Sequence, residues 1–403
     1  MGALLGRARV IQINREMCIR DSLGTILVLT LFGAVAIANA TANPYDMDSS
    51  SLIGRILSSM GLYYVRLHLI WFATGLVLMA FVMLADYQIY GALARWIYGI
   101  TLAMLVAVLV LGSDTRGTTG WFEIGSFGFQ PSELGKITLV LVLARTMSNI
   151  QGPITRWRDL LRILIVFAIP TALVLAQPDI GMAIIYVVIL AVMLFAAKAS
   201  WKLLLGTGGL GAVAAALMWF FLFNDARRDR VLSFLGITTD TASATHVAQS
   251  QLAIGSGQMT GKGLFREGGM SQLGYLPIKH TDFIFAVIAE AAGFLGCLLV
   301  IALYMLFCYR MLQQSLRARD KFGQLIIVGV LAMFLFQIFE NIGMTIGLMP
   351  VTGLPLPFLS YGGTSMWTNL IACGLVLNVS MRRESAGLAL ESADILRDTA
   401  SIG

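Results

Sequence analysis

Apolar residues fall in ten blocks along the chain, at about 23–40, 67–85, 92–112, 134–150, 160–176, 179–197, 202–223, 283–308, 323–345 and 364–381. A helix rises about 1.5 Å per residue, so about 20 apolar residues cross the hydrocarbon layer of a bilayer. The blocks predict an all-α polytopic membrane protein of ten transmembrane helices, forming one membrane domain over 23–381. A long extracellular loop, 224–281, is expected between helices 7 and 8, and a cytoplasmic tail over 382–403. The fourth block is the weakest, because Lys136 and Arg145 interrupt it, and Gln177-Pro178-Asp179 splits the fifth from the sixth by a tight turn.

Composition excludes the soluble alternatives. Of 403 residues, 58% are hydrophobic and 12% charged, where a soluble domain has roughly 45–50% apolar and about 25% charged. The net charge of +6 is spread over the loops and forms no stripe for nucleic acid. It fits orientation instead. Cytoplasmic loops collect Lys and Arg, and the loops after even-numbered spans hold Arg95, Arg156, Arg158, Arg162, Lys198, Arg310, Arg317 and Arg319. Both termini are therefore expected in the cytoplasm. The four cysteines give no CxxC pair and no disulfide framework.

Residues 1–22 are set apart. Met17-Cys18-Ile19-Arg20-Asp21-Ser22 reads as a translated sequencing adapter, so this stretch is excluded from functional reading. The basic start and Ala38-Asn39-Ala40 resemble a signal peptide, but the apolar run is longer than usual and its removal leaves an odd number of spans; a retained first helix is expected.

Three outward segments carry more special residues than connectors need. The first runs from Gly117 through Trp121 to Gln130-Pro131-Ser132-Glu133-Leu134-Gly135-Lys136. Pro131-Ser132 reads as a helix start, and Glu133 and Lys136, three apart, share a face and can pair. Trp121 reads equally as an interfacial anchor. The second segment ends the long loop, from Gln249 to Gly263, with Lys262 and then Arg266. Its glycines invite a phosphate-loop reading, but Ser256 stands in place of the first glycine and Gly263 in place of the Ser or Thr, so ATP is not implied.

Asp282 ends this loop at the mouth of an apolar helix, with Lys279 and His280 beside it. It reads either as a helix N-cap or as a general base under a Gly-rich, basic loop. No second His or carboxylate stands at zinc spacing. Glu290 lies two turns further on, while Gln337, Glu340 and Asn341 form a polar stripe at i, i+3 and i+4 in the next block. Charge at membrane depth is costly, so these side chains must face protein or water; interhelical hydrogen bonds and a substrate role both satisfy that need. In the third segment, Met349 to Ser365, three prolines in eight residues forbid a helix, yet the stretch is too apolar for open solvent. A buried re-entrant segment is expected, with Ser360 near its end. Gly362 and Gly363 read as an anion-binding turn or as plain turn glycines.

Together these stretches resemble the SEDS family of bacterial envelope proteins (shape, elongation, division, sporulation): Phe129 to Lys136 (FQPSELGK), Ala176 to Gly181 (AQPDIG), Gln249 to Gly257, Lys279 to Glu290 (KHTDFIFAVIAE) and Asn341 to Ser365. Pro355 in GLPLPF is similar to the RodA branch, and Gly120 stands where many members have Arg before the loop tryptophan. The resemblance implies a peptidoglycan glycosyltransferase that joins lipid II units at the outer face of the bacterial cytoplasmic membrane, with Asp282 as the essential acid and a class B penicillin-binding protein as partner. Candidate substrate contacts beside it are Trp121, Glu133, Lys136, Lys262, Arg266, His280, Ser360, Gly362 and Gly363, with Lys136, Lys262 and Arg266 for the pyrophosphate, and Glu290, Glu340 and Asn341 are candidates for polar support. A divalent cation, Mg2+ or Mn2+, is compatible as a screen for the pyrophosphate, although no ligand cage is legible. A flippase for the same precursor and a scaffold for the transpeptidase are the competing readings. Carriers use intramembrane carboxylates, whereas here no inverted repeat is visible and the polar motifs gather on one face.

Overall fold

The structure, a computed structural model, describes residues 2–42, 62–115, 118–124, 127–221, 223, 225–234, 236–237, 242–265, 269–271 and 280–400. All ten apolar blocks form helices: α1 (Gly2–Thr41), α2 (Leu62–Leu84), α3 (Tyr87–Leu111), α4 (Pro131–Ser148), α5 (Trp157–Ala176), α6 (Ile180–Ala196) and α7 (Trp201–Phe221), followed after the long loop by three more. The loop itself contains two short helices, α8 (Asp225–Phe234) and α9 (Ala242–Gly257), and the last three are α10 (Ile284–Leu316), α11 (Lys321–Thr345) and α12 (Gly363–Ala400). The protein is an all-α polytopic membrane protein.

By length and composition, seven helices among the described residues are apolar enough to cross a membrane: Ser22–Thr41 of α1, and α2, α3, α5, α7, α10 and α11. The ten expected spans exceed this number because α6 is apolar but only 17 residues long, and α4 and α12 are more polar than the other seven. In α4, every residue from Gly135 to Ala144 is buried, which is how a helix carrying Glu133, Lys136 and Arg145 is tolerated. At the other extreme α7 buries only Leu203 and leaves Leu205, Leu210, Val213, Leu217 and Phe220 on its surface, a composition suited to lipid.

The first helix is built into the fold. A Cβ on Gly33 would lie 2.8 Å from the Leu359 backbone, and Asn39 Oδ1 accepts the Phe265 N–H at 2.7 Å. At the opposite end of the bundle, Asn378 of α12 donates to the Val82 and Ala85 carbonyls, at 2.6 Å each, and closes the α2–α3 turn.

Two features depart from the expected plain loops. Between α3 and α4 the chain forms a three-stranded antiparallel sheet, β1 (Ser113–Thr115), β2 (Thr118–Ile124) and β3 (Phe127–Phe129), in the order β1-β2-β3. Its register pairs Ser113 with Trp121 and Phe122 with Phe129. These strands are too short for alternation to announce them. The second feature is a break in α10 at Gly293, where φ is 66°. The turn after α9 supplies the missing partners: Phe294 and Leu295 donate to the Gln258 and Met259 carbonyls at 2.9 and 3.2 Å, while Lys262 and Gly263 donate to the Glu290 and Ala291 carbonyls at 2.9 and 3.0 Å. Irregular backbone inside a membrane protein needs such replacement bonds. The glycines of this loop therefore serve backbone contact: a side chain on Gly257 or Gly261 would collide with the Ala289 or Ala291 carbonyl.

Candidate active site

Asp282 sits in the turn preceding α10 and is 8% exposed. The N-cap position of α10 is held by Phe283, whose side chain makes no capping bond, so the capping reading of Asp282 is replaced. Its backbone is fixed from outside its own helix. The three carbonyls leading to and including this residue are each bound: His280 O accepts Tyr361 N–H at 3.0 Å, Thr281 O accepts Ser360 Oγ–H at 2.6 Å, and Asp282 O accepts Asn341 Nδ2–H at 2.9 Å. Asn341 also donates to Leu354 O at 2.8 Å, so α11 clamps two non-helical stretches together.

The partner in this clamp is the expected re-entrant segment. No helix interrupts the chain from 351 to 362, and Leu354, Leu356, Phe358 and Leu359 are all buried. Phe358 anchors it between Phe307 and Phe334, with ring centroids 5.8 and 5.7 Å away. Asp282 Oδ2 then faces Gly353, where an added Cβ would stand 3.6 Å from it. Next to Gly353, the Thr352 hydroxyl donates to Glu340, which is 1% exposed and electrostatically coupled to Asp282. Glu340 Oε2, Asn341 Oδ1 and both polar atoms of Gln337 have no hydrogen-bond partner among the described residues.

Ser360 is placed differently from the expected substrate contact: it is 4% exposed, donates its one proton to Thr281 O and accepts Leu356 N–H at 2.9 Å. Gly363 packs on the Trp71 indole, with no room for a Cβ beyond 3.0 Å, so tight packing explains this glycine. Gly362 is half-buried at the start of α12.

A second polar cluster lies under the sheet. Glu133 and Lys136 form the expected pair at 2.7 Å, with side-chain exposures of 2% and 0%. Lys136 is thereby sealed inside the bundle, away from the surface that a pyrophosphate contact needs. Gln130 Nε2 donates to Asp179 Oδ2 at 2.8 Å, and Asp179 Oδ1 accepts Met182 N–H at 3.0 Å to cap α6. Burial pushes the Asp179 carboxyl up to about 6; Glu133 adds to the rise, while the Met182 N–H, Lys136 and Gln130 oppose it. Gly120 of β2 covers this cluster, since a Cβ there would lie 3.2 Å from Gln177 Oε1. Thr364 joins the sheet to α12 by donating to Gly128 O at 3.0 Å. Trp121 is half-buried beside Gly128, whose Cβ would touch the indole at 3.1 Å.

The third group holds the loop. Glu290 accepts Met270 N–H at 2.7 Å, Ser271 N–H at 2.9 Å and Lys262 Nζ at 3.1 Å. Glu290 thus acts on the loop rather than beside Asp282, and Lys262, 31% exposed, is its counter-ion. His280 stacks at 4.7 Å on Tyr64. Arg266 and Lys279, and Arg116 of the first segment, lie outside the described residues. Sequence reasoning did not single out Asp179, Gln130 or Thr352. A carboxylate in a three-residue turn between two apolar blocks was the available signal for Asp179.

A buried carboxylate held beside an irregular, proline-rich segment gives this all-α membrane protein a candidate catalytic centre. The comparisons name the family. Residues 21–385 match the FtsW/RodA/SpoVE family, described as "Cell cycle protein", and the chain belongs to it. It is 37% identical over 313 residues to "Peptidoglycan glycosyltransferase MrdB" of Escherichia coli (strain K12), covering 77% of this chain and 84% of that protein. It is 33% identical over 370 residues to "Probable peptidoglycan glycosyltransferase FtsW" of Trichlorobacter lovleyi, covering 91% and 92%. "Stage V sporulation protein E" of Bacillus subtilis (strain 168) is 32% identical over 363 residues, covering 88% and 94%. Among solved structures, a chain from "Structural coordination of polymerization and crosslinking by a peptidoglycan synthase complex" superposes with a TM-score of 0.73 at 28% identity, covering 90% of this chain and 98% of that one. The Thermus thermophilus rod shape determining protein RodA gives 0.66 at 28% identity, covering 90% and 97%.

Proposed function

We infer that this chain is a peptidoglycan glycosyltransferase that polymerises lipid II at the outer face of the bacterial cytoplasmic membrane, with both termini in the cytoplasm. The observation that carries the reading is the placement of Asp282: a carboxylate at the membrane end of the bundle whose backbone is held by Tyr361, Ser360 and Asn341. Such fixing is what a general base needs, because it must reach a hydroxyl proton at roughly 2.6–3.2 Å or through one water. Asp282 takes the proton from the acceptor sugar hydroxyl. The freed oxygen attacks the anomeric carbon of the donor with inversion, and polyprenyl pyrophosphate leaves with the bonding pair.

Lys262, whose side chain is 31% exposed beside Glu290, is the proposed contact for the pyrophosphate. Among the described residues no three His, Cys, Asp or Glu side chains converge as a metal cage. A divalent cation, Mg2+ or Mn2+, would supply charge screening for the leaving pyrophosphate. A class B penicillin-binding protein is the proposed partner, supported by the likeness to a chain of a peptidoglycan synthase complex.

The test is direct. Purified protein is given labelled lipid II with a moenomycin-type inhibitor present, beside an Asp282→Ala form checked for folding by its thermal transition, and products are sized on a gel. Polymer from the first and none from the second is the expected result. Absence of polymer from the native chain, even with its transpeptidase added, turns the reading toward transport of the precursor or scaffolding; equal polymer from both removes Asp282 as the base.

A further inference from the structure

Tyr63 and Tyr64 open α2, and neither belongs to any motif of the sequence. In space they continue the site. Tyr64 lies 4.7 Å from His280 and 5.2 Å, edge to face, from Tyr361. Tyr63 meets Tyr64 edge to face at 5.4 Å, and His280 lies 5.9 Å from Tyr361. Behind them the Trp71 side chain is hydrogen-bonded to the Tyr361 hydroxyl. Three separate parts of the chain thus contribute one continuous run of rings, which begins two residues before Asp282 and ends at Tyr63, 56% exposed.

An aromatic belt at a bilayer surface consists of side chains spread around the helices at headgroup level. This run is different, because its rings pack on one another, and two of them, His280 and Tyr361, are joined by a backbone hydrogen bond two residues from Asp282. Aromatic rings offer an apolar face and, in tyrosine, a polar edge. A pyranose ring matches both, with axial C–H groups on its face and hydroxyls around its rim. We propose that Tyr63, Tyr64, His280 and Tyr361 form a saccharide platform, on which one sugar ring of the glycan lies while its neighbouring hydroxyl is presented to Asp282. The proposal rests on the reading of Asp282 as base. Its physical gain is orientation: a ring held flat has its reacting hydroxyl in a fixed place.

The deciding variant is Tyr63→Ala, because Tyr63 is exposed and its loss leaves the packed rings in place. Two probes are used: lipid II, for steady-state polymerisation, and a tail-free disaccharide-pentapeptide, for binding followed by the fluorescence of the tryptophans. The expected result is a KM raised about fivefold to tenfold with kcat within about twofold, an equal loss of affinity for the tail-free sugar, and recovery of both in Tyr63→Phe. Tyr64→Ala, with its thermal transition recorded, is expected to do the same more strongly. The proposal is overturned by an unchanged KM and sugar affinity in Tyr63→Ala, by a native chain that does not bind the tail-free sugar, or by a loss that appears with lipid II and not with the tail-free sugar. A native chain that binds the sugar through Tyr63 yet makes no polymer overturns the polymerase reading instead, so the two failures are told apart.

Discussion

Asn341 holds Asp282 in place through the main chain: its amide group, near the C-terminal end of α11, donates to Asp282 O and Leu354 O at 2.9 and 2.8 Å. Replacing it by alanine leaves two buried carbonyls short of a donor, at about 1–3 kcal/mol each. Asn341→Ala should lower kcat at least about tenfold with KM little changed, and Asn341→Asp, which keeps the shape and removes the donors, should behave alike. A kcat within about twofold of native in a folded variant would show that the clamp has no part in catalysis.

Ser360 makes a parallel case of smaller size. Its hydroxyl serves Thr281 O and Leu356 N, so Ser360→Ala should cost about 1 kcal/mol of stability and reduce kcat more than substrate affinity. Thermal melts and steady-state polymerisation measure the two effects; a rise confined to KM would return Ser360 to the role of a substrate contact.

The buried Glu133–Lys136 pair at 2.7 Å predicts a non-additive pattern. Removing either partner strands a charge, at about 3–5 kcal/mol. Glu133→Gln and Lys136→Met should each destabilise strongly, while the double variant should regain a large part of the loss. The check is a double-mutant cycle on the thermal transition, and strict additivity would count against the pair as a coupled unit.

Asp179 gives a pH dependence with a definite sign. Its carboxyl is raised to about 6 by burial, against about 4 in the unfolded chain, so folding favours the protonated form. That stabilisation is complete below about pH 4 and is lost as the pH rises through 6. Relative to Asp179→Asn, the native thermal transition should fall across this window and be level above it. A difference between the two proteins that stays constant from pH 4 to pH 7 would remove the assignment.

Gly293 is where α10 breaks, at φ 66°, directly against the backbone of Gly261. Gly293→Ala combines a left-handed backbone with a collision. The expected outcome is a loss of more than about 2 kcal/mol, read as poor yield or a lowered melting temperature. A variant melting within a degree or two of native would mean that this interruption is incidental.

Most of the helical plan was legible, because a bilayer demands long apolar blocks and each block became a helix. The Glu133–Lys136 pair was legible for the same local reason, a spacing of three on one helix face. What escaped the sequence depends on distant partners. The strand at Thr118–Ile124 is held by neighbours on either side, and Ser250, within α9, donates to Thr345 O at 2.9 Å from 95 residues away. Asp282 was marked by its position alone, but the carbonyl contacts from Asn341, Ser360 and Tyr361 cross from other elements and leave no local pattern. Likewise the glycines around Lys262 looked suited to phosphate, whereas their backbone fills the gap in α10, a use that needs Gly293 beside them.

Because the turn after α9 is spliced into the interruption of α10, the region outside the bundle and the helix leading back to Asp282 share hydrogen bonds. They form one mechanical unit. A load on the turn after α9 is thereby carried into the short rod of α10 that begins beside Asp282.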